Sequence, residues 1–241
     1  MNILGLSFYY HDSSAALVQD GVLVAAAEEE RFSRRKHDSG FPALAIEFVL
    51  KQAGITLDDV DFVVFYEKPF VKFERMLLSA MATFPHSAAV FLESMQRWVS
   101  DKLWIKGLMQ KHMDVPASKL LFADHHMSHA ASSFFTSPYD DAAILTVDGA
   151  GEWSTATLSH GRGNKIEILK ELRFPHSLGL LYSAFTAYCG FEINEGEYKL
   201  MGMHPYGKPR FVDEIYKLIH VADDGSLWHD MKFFAYHYSR D

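Results

Sequence analysis

Two histidines four residues apart, His125 and His129, stand in the segment DHHMSHAASSFF. On a helix that spacing puts both imidazoles on one face, where they can share a metal ion. His126 points about 100° away from His125 and is a poor third ligand on that geometry. The apolar run Ala142–Val147 reads as a buried strand that ends in Asp148, followed by Gly149-Ala150-Gly151. Two imidazoles and one carboxylate suit iron(II), zinc or manganese better than magnesium or calcium. Taken singly, an H-x-x-x-H pair also serves as a helix cap or a surface patch, and an Asp before Gly-Ala-Gly also makes a plain turn. Both features at the mouth of one sheet point to a metal, because strand ends are where open α/β sheets hold their ligands.

The elements that must position these residues follow from patterning. Asn2–Ser7, Ser14–Gln19 and Val22–Ala27 read as three strands, with Asp20-Gly21 a tight turn between the last two. Pro42 opens a helix that stops at Gly54. Asp61–Tyr66 reads as a buried strand, and Phe73–Met113 as two or three helices inserted on one face of the core. Lys119–Ala123 is a further strand, and Asp124 stands where it can cap the helix that starts HHMSH. Trp153–Ser159 and Lys165–Leu172 make a hairpin around Gly161-Arg162-Gly163-Asn164. Helices are predicted over Leu178–Tyr188 and from about Val212 to Ile219. The tail from Ala222 to Asp241 offers at most one more short strand.

The second meander repeats the first. At an offset of 141 positions, Ile3–Ser7 falls on Ile144–Asp148, Ser14–Val18 on Thr155–Ser159, and Glu30 on Glu171, with no gap. Duplicated three-strand meanders followed by βαβα elements resemble the actin, sugar-kinase and heat-shock ATPase superfamily, a ribonuclease H-like α/β fold. The expected division is residues 1–140, with a helical insertion at about 70–115, and 141–241 as the start of a second domain that lacks its later strands. On this reading the chain is a fragment or a truncated product. The loops Phe8–Ser13 and Gly149–Ser154 would wrap phosphates. Gly149 and Gly151 would let backbone N–H groups approach phosphate oxygens, and a carboxylate at the strand end would hold a metal.

Bulk composition narrows the function classes. The net charge of −8 over 241 residues argues against a non-specific grip on nucleic acid or an anionic membrane. A single cysteine, Cys189, forbids an internal disulfide and fits a reducing cytoplasm. The first residues show no basic n-region and no long apolar stretch, so no secretory signal is expected.

Four blocks then identify a family. HDSSAALVQDGVLVAAAEEERFSRRKH, DHHMSHAASSFF, LTVDGAGEW and EYKLMGMHPYGKP occur in order and span nearly the whole chain. They resemble the blocks of the nodulation and antibiotic O-carbamoyltransferases. That resemblance implies a two-step reaction. ATP and carbamoyl phosphate give carbamoyladenylate in a C-terminal YrdC-like domain, and the carbamoyl group passes to a hydroxyl of a sugar or small-molecule acceptor in the actin-like domain. The YrdC-like domain and a further aspartate ligand are expected beyond residue 241. The actin-like domain is similar to that of the tRNA threonylcarbamoyladenosine synthases, which also use an H-x-x-x-H site. By the resemblance His125, His129 and Asp148 are the metal ligands, with iron(II) the ion. His11 would act as general base, Asp12 would orient it or close the turn, and Lys199 beside Gly202 would contact an anion. The charge run Glu28–Lys36 is a solvated face or a rim of the cleft. His204 stands where relatives commonly carry Ala. A tRNA-modifying enzyme of the same fold, or a truncated nucleotide- or metal-binding module without turnover, is the alternative. A truncated domain exposes apolar surface, which favours self-association.

Overall fold

The computed structural model describes residues 1–100 and 102–239. The first strands are β1 (Asn2–Ser7), β2 (Ser14–Gln19) and β3 (Val22–Glu28), followed by α1 (Glu30–Ser33) and α2 (Ala43–Ala53). Then come β4 (Phe62–Phe65), α3 (Pro69–Ala82), α4 (Ala88–Ser100), α5 (Ile105–Met113), β5 (Leu120–Phe122) and α6 (His125–Phe134). The second meander is β6 (Asp141–Val147), β7 (Ser154–Arg162) and β8 (Lys165–Arg173). It is followed by α7 (Leu178–Tyr188), α8 (Glu197–Met203), α9 (Val212–Ile215), β9 (Ile219–Val221) and β10 (Leu227–His229). No helix among the described residues is long and apolar enough to cross a membrane.

The chain packs as two compact units, Met1–Phe70 with Gln96–Ser128, and Val71–Met95 with His129–Asp241. The first holds a five-stranded sheet of order β3-β2-β1-β4-β5. Its meander is antiparallel, and β4 then joins β1 in parallel, with Ile3 opposite Phe62. This is the expected actin-like order of three strands, helix and strand. The burial pattern shows why these segments form strands: Leu4, Leu6, Leu17, Val63 and Phe65 alternate inward with period two. Helix α2 packs on β2 and β3 and buries Ala45, Ile46, Val49 and Leu50. Its first-turn amides at Leu44 and Ala45, which have no partner within the helix, donate to the buried carboxylate of Glu29, at 3.2 and 2.8 Å. Part of the charge run is therefore structural: Glu29 holds a helix end, while Glu28 pairs with Arg31.

The second unit holds the three-stranded sheet β6-β7-β8 and the two-stranded sheet β9-β10. The repeat is borne out in register through two strands. Ile3 faces Val18 and Ile144 faces Ser159, both at the 141-residue offset, and the bulge at Leu17/Val18 recurs at Leu158/Ser159. The gapless alignment fails in the third strand. The offset would place the second hairpin turn at Gly161-Arg162, but Arg162 pairs with Lys165 and the chain turns at Gly163-Asn164. The hairpin gains rungs, so Glu171 lies in β8 opposite Thr157 while Glu30 lies in α1.

One expectation near the end of the chain is corrected. The helix expected to reach Ile219 ends at Ile215, and Ile219 begins β9 instead. The tail from Ala222 onward supplies the one short strand expected of it, β10, which pairs with β9 around Gly225, whose φ of +80° closes the turn. Ile219 and Leu227 bury their side chains with Leu181 and Phe234, and that apolar gain outweighs one more helical turn.

Candidate metal centre and loop site

Helix α6 is fixed on the second sheet by its C-terminal half. Ala130 and Phe134 bury against Ile144, and a Cβ at Gly161 would lie only 2.8 Å from the Phe134 ring. Glycine in β7 is what lets the helix approach so closely. This packing brings His129 to the end of β6, where its Nε2 lies 3.8 Å from Asp148 Oδ2. That is too long for a hydrogen bond. It is near the spacing of roughly 3 to 4 Å that two donors about 2.1 Å from one ion would show.

Asp148 is held from three sides. Its Oδ1 accepts the Gly149 N–H at 2.7 Å, leaving Oδ2 toward His129. The Ser177 hydroxyl reaches the carbonyls of Asp148 and Gly149, and also caps α7 by accepting the Leu180 N–H. A Cβ at Gly179 would lie 2.4 Å from the Asp148 carbonyl oxygen, so only glycine allows α7 this close. Gly151 donates to the Ser154 carbonyl and closes the loop.

His125 stands one turn before His129 on the same helix, so the two rings share a face. His125 is buried, its Nδ1 lies 3.9 Å from Glu67 Oε2, and its ring is 5.5 Å from that of Tyr66. His126 is also buried, with its ring turned 70° from that of His125. The Asp124 carbonyl accepts the Ser128 N–H at the start of α6, while its carboxylate takes the Lys68 ammonium on both oxygens at 2.9 Å.

In the first unit, His11 and Asp12 lie in the loop between β1 and β2. His11 is exposed and its Nδ1 lies 2.6 Å from Asp12 Oδ2. Burial works against ionisation of Asp12, but hydrogen bonds from His11 and His37 outweigh it and hold the carboxyl below its ordinary range. Lys199 and Gly202 lie exposed on α8, where a Cβ at Gly202 would meet nothing within 4 Å. Helix α8 is tied to α7 by Ser183, which donates to Glu197 Oε1 at 2.8 Å. His204 is exposed just beyond α8. Three groups were missed from sequence: Glu67, Ser177 and Gly179. Only Ser177-Leu178-Gly179, a capping serine before a helix, left a local signal.

The carbamoyltransferase N-terminus family matches residues 2–240 of this chain. The chain belongs to that family. It is 51% identical to protein sll1178 of Synechocystis over 98% of the chain and 40% of the relative. It is 34% identical to nodulation protein NolNO of Sinorhizobium fredii over 83% of the chain and 28% of that protein. The chain thus spans less than half the length of these two relatives. Among solved structures, YeaZ from Pseudomonas aeruginosa aligns with 72% of the chain and 66% of its own, at a TM-score of 0.38 and 14% identity.

Proposed function

We propose that this carbamoyltransferase-family chain carries the transfer half of an O-carbamoyltransferase. The carbamoyl group comes from carbamoyladenylate, made from ATP and carbamoyl phosphate, and goes to a hydroxyl of a sugar or small-molecule acceptor. The family match over residues 2–240 carries this reading. A YrdC-like domain elsewhere in the full polypeptide would supply the adenylate, and a cytoplasmic site of action goes with it.

His125, His129 and Asp148 would hold a divalent transition metal, with iron(II) favoured by the family resemblance. The donor set fits: His129 and Asp148 already converge, and Glu67, whose Oε2 lies 3.9 Å from His125 Nδ1, would serve as the outer carboxylate that metal-binding histidines usually have once it closes by about 1 Å to hydrogen-bond distance. When bound, the ion would offset charge on the adenylate phosphate. His11 would take the acceptor's proton at Nε2 while Asp12 holds Nδ1. The acceptor oxygen attacks the carbamoyl carbon, the bond from that carbon to the phosphate oxygen breaks, and AMP leaves with the electron pair. Lys199 would meet the phosphate as a point charge. The Gly149 and Gly151 amides, engaged within their loop, would reach phosphate by exchanging their present partners.

The test supplies synthetic carbamoyladenylate with a panel of hydroxyl acceptors and reads carbamoylated product by mass spectrometry. Transfer that falls about 100-fold or more in His11→Asn is expected, the usual scale of a lost general base. Equal product from His11→Asn would remove the base assignment, and no product with any acceptor would remove the transferase reading.

A further inference from the structure

Asp12 accepts from two imidazoles. His11 Nδ1 lies 2.6 Å from its Oδ2, and His37 Nδ1 lies 3.1 Å from its Oδ1. An ionised carboxylate has no hydrogen to give, so each Nδ1 must carry its own. His11 is then held in the form whose Nε2 is open for proton transfer. A carboxylate on the adjacent residue could swing away from His11, and the second donor on Oδ1 is what stops it.

The segment carrying His37 is laid firmly on the loop. Ser13 donates its N–H and its hydroxyl to the Asp38 carbonyl, and Tyr9 donates to the Ser39 carbonyl. The His37 N–H donates to Glu30 Oε2 at 3.0 Å, and its φ of +54° is uncommon for a residue with a side chain. His37 Nε2 is buried without a hydrogen-bond partner among the described residues. The ring's polar contact is therefore made on the Asp12 side.

We propose that His37 is a positioning residue for His11: it fixes the Asp12 carboxylate, and Asp12 fixes the His11 ring and tautomer. Its catalytic meaning rests on His11 being the base, but the linkage itself does not. The competing occupant of this corner is a cation, since ligand atoms of Asp12, Glu30 and His37 all lie within 4.8 Å of one another. A cation would displace the hydrogen from His37 Nδ1.

Histidine-ring 1H–15N spectra of the whole chain decide the matter, with His37→Leu and His37→Gln beside the wild type. His11 in the wild type is expected in the Nδ1–H form. In His37→Leu the tautomer ratio should shift by roughly two- to ten-fold, the worth of one hydrogen bond. His37→Gln, whose amide can donate to Oδ1, should restore it. A second reading needs no variant: acid titration of Asp12 should move the Nδ1 signals of His11 and His37 with one midpoint. An unchanged His11 spectrum in folded His37→Leu, a His37 signal that ignores the Asp12 titration, or saturable loss of the His37 Nδ1 hydrogen on adding manganese or zinc would each overturn the proposal. None of these readings involves turnover, so a failure of the transferase reading leaves them intact and the converse also holds.

Discussion

Leu4 and Leu145 occupy the same rung of two equivalent strands, at the 141-residue offset, and their surroundings are opposite. Leu4 is 0% exposed and Leu145 is 70% exposed. The contrast runs along the face, with Leu6 at 2% against Val147 at 49%, and Leu17 at 0% against Leu158 at 40%. In the first unit this face meets Ile46 and Val49 of α2. In the second, the opposite face is the covered one, where Ile144 meets Ala130 and Phe134 of α6. An alternating strand pattern therefore does not decide which face is core; the helix stacked on it does. The loops differ as well. The first is pinned by the backbone carbonyls of Asp38 and Ser39 and by the His37 ring and presents an imidazole, while the second is pinned by the Ser177 hydroxyl and the close approach of α7 at Gly179 and presents a carboxylate.

The sharpest way to break this comparison is a pair of truncations. Leu4→Ala should cost about 2–5 kcal/mol in urea unfolding, as buried leucines do, while Leu145→Ala should stay within about 0.5 kcal/mol. Equal losses would mean that the exposed face of β6 is covered in solution. Next, Gly179→Ala places a Cβ against the Asp148 backbone, and overpacking of that kind costs about 1–3 kcal/mol. Thermal melting should show the loss, and metal affinity should fall with it because Asp148 must move; an unshifted melt would mean that α7 can retreat freely.

A third prediction concerns acid. His229 is buried in β10, and its Nδ1 donates to the Tyr236 oxygen at 2.7 Å, since the Tyr236 hydroxyl is committed to the Pro175 carbonyl. Burial, with the nearby His176 adding to it, lowers the His229 pKa to about 4. The unfolded chain takes up this proton near the ordinary histidine value of about 6.5, and the folded chain only near 4. The stability that His229 contributes is thus complete above about 6.5, shrinks as the pH falls toward 4, and is gone below it. Melting temperature should drop across that window, and His229→Gln should flatten the slope. No such slope in the wild type would show that the ring is open to water.

Much of this was legible in the sequence where the pattern is local. The three-strand meander, the Asp20-Gly21 turn and the helix from Pro42 to Gly54 follow from alternation and from turn and stop residues. The end of the helix was misread because Val212, Ile215 and Ile219 carry helical spacing, while the competing signal, Asp223-Asp224-Gly225-Ser226 between two short β-prone runs, is a hairpin turn. The Glu29 cap on α2 and the His37 contact with Asp12 were not legible, because each joins residues whose proximity is set by tertiary packing. The pairing of His129 with Asp148 was foreseeable, since a helix spacing and a strand end each announce themselves. What holds Asp148 was not, since the need for glycine at 179 appears only when α7 is laid against the loop.

The most direct test of the account is metal content by mass spectrometry on protein purified without oxygen, beside His129→Ala and Asp148→Asn. Near-stoichiometric iron or another divalent transition metal in the wild type, lost in both variants, is the predicted result. Wild-type protein that stays empty after incubation with iron(II), zinc or manganese, or that keeps its metal in both variants, would contradict the His125, His129 and Asp148 centre.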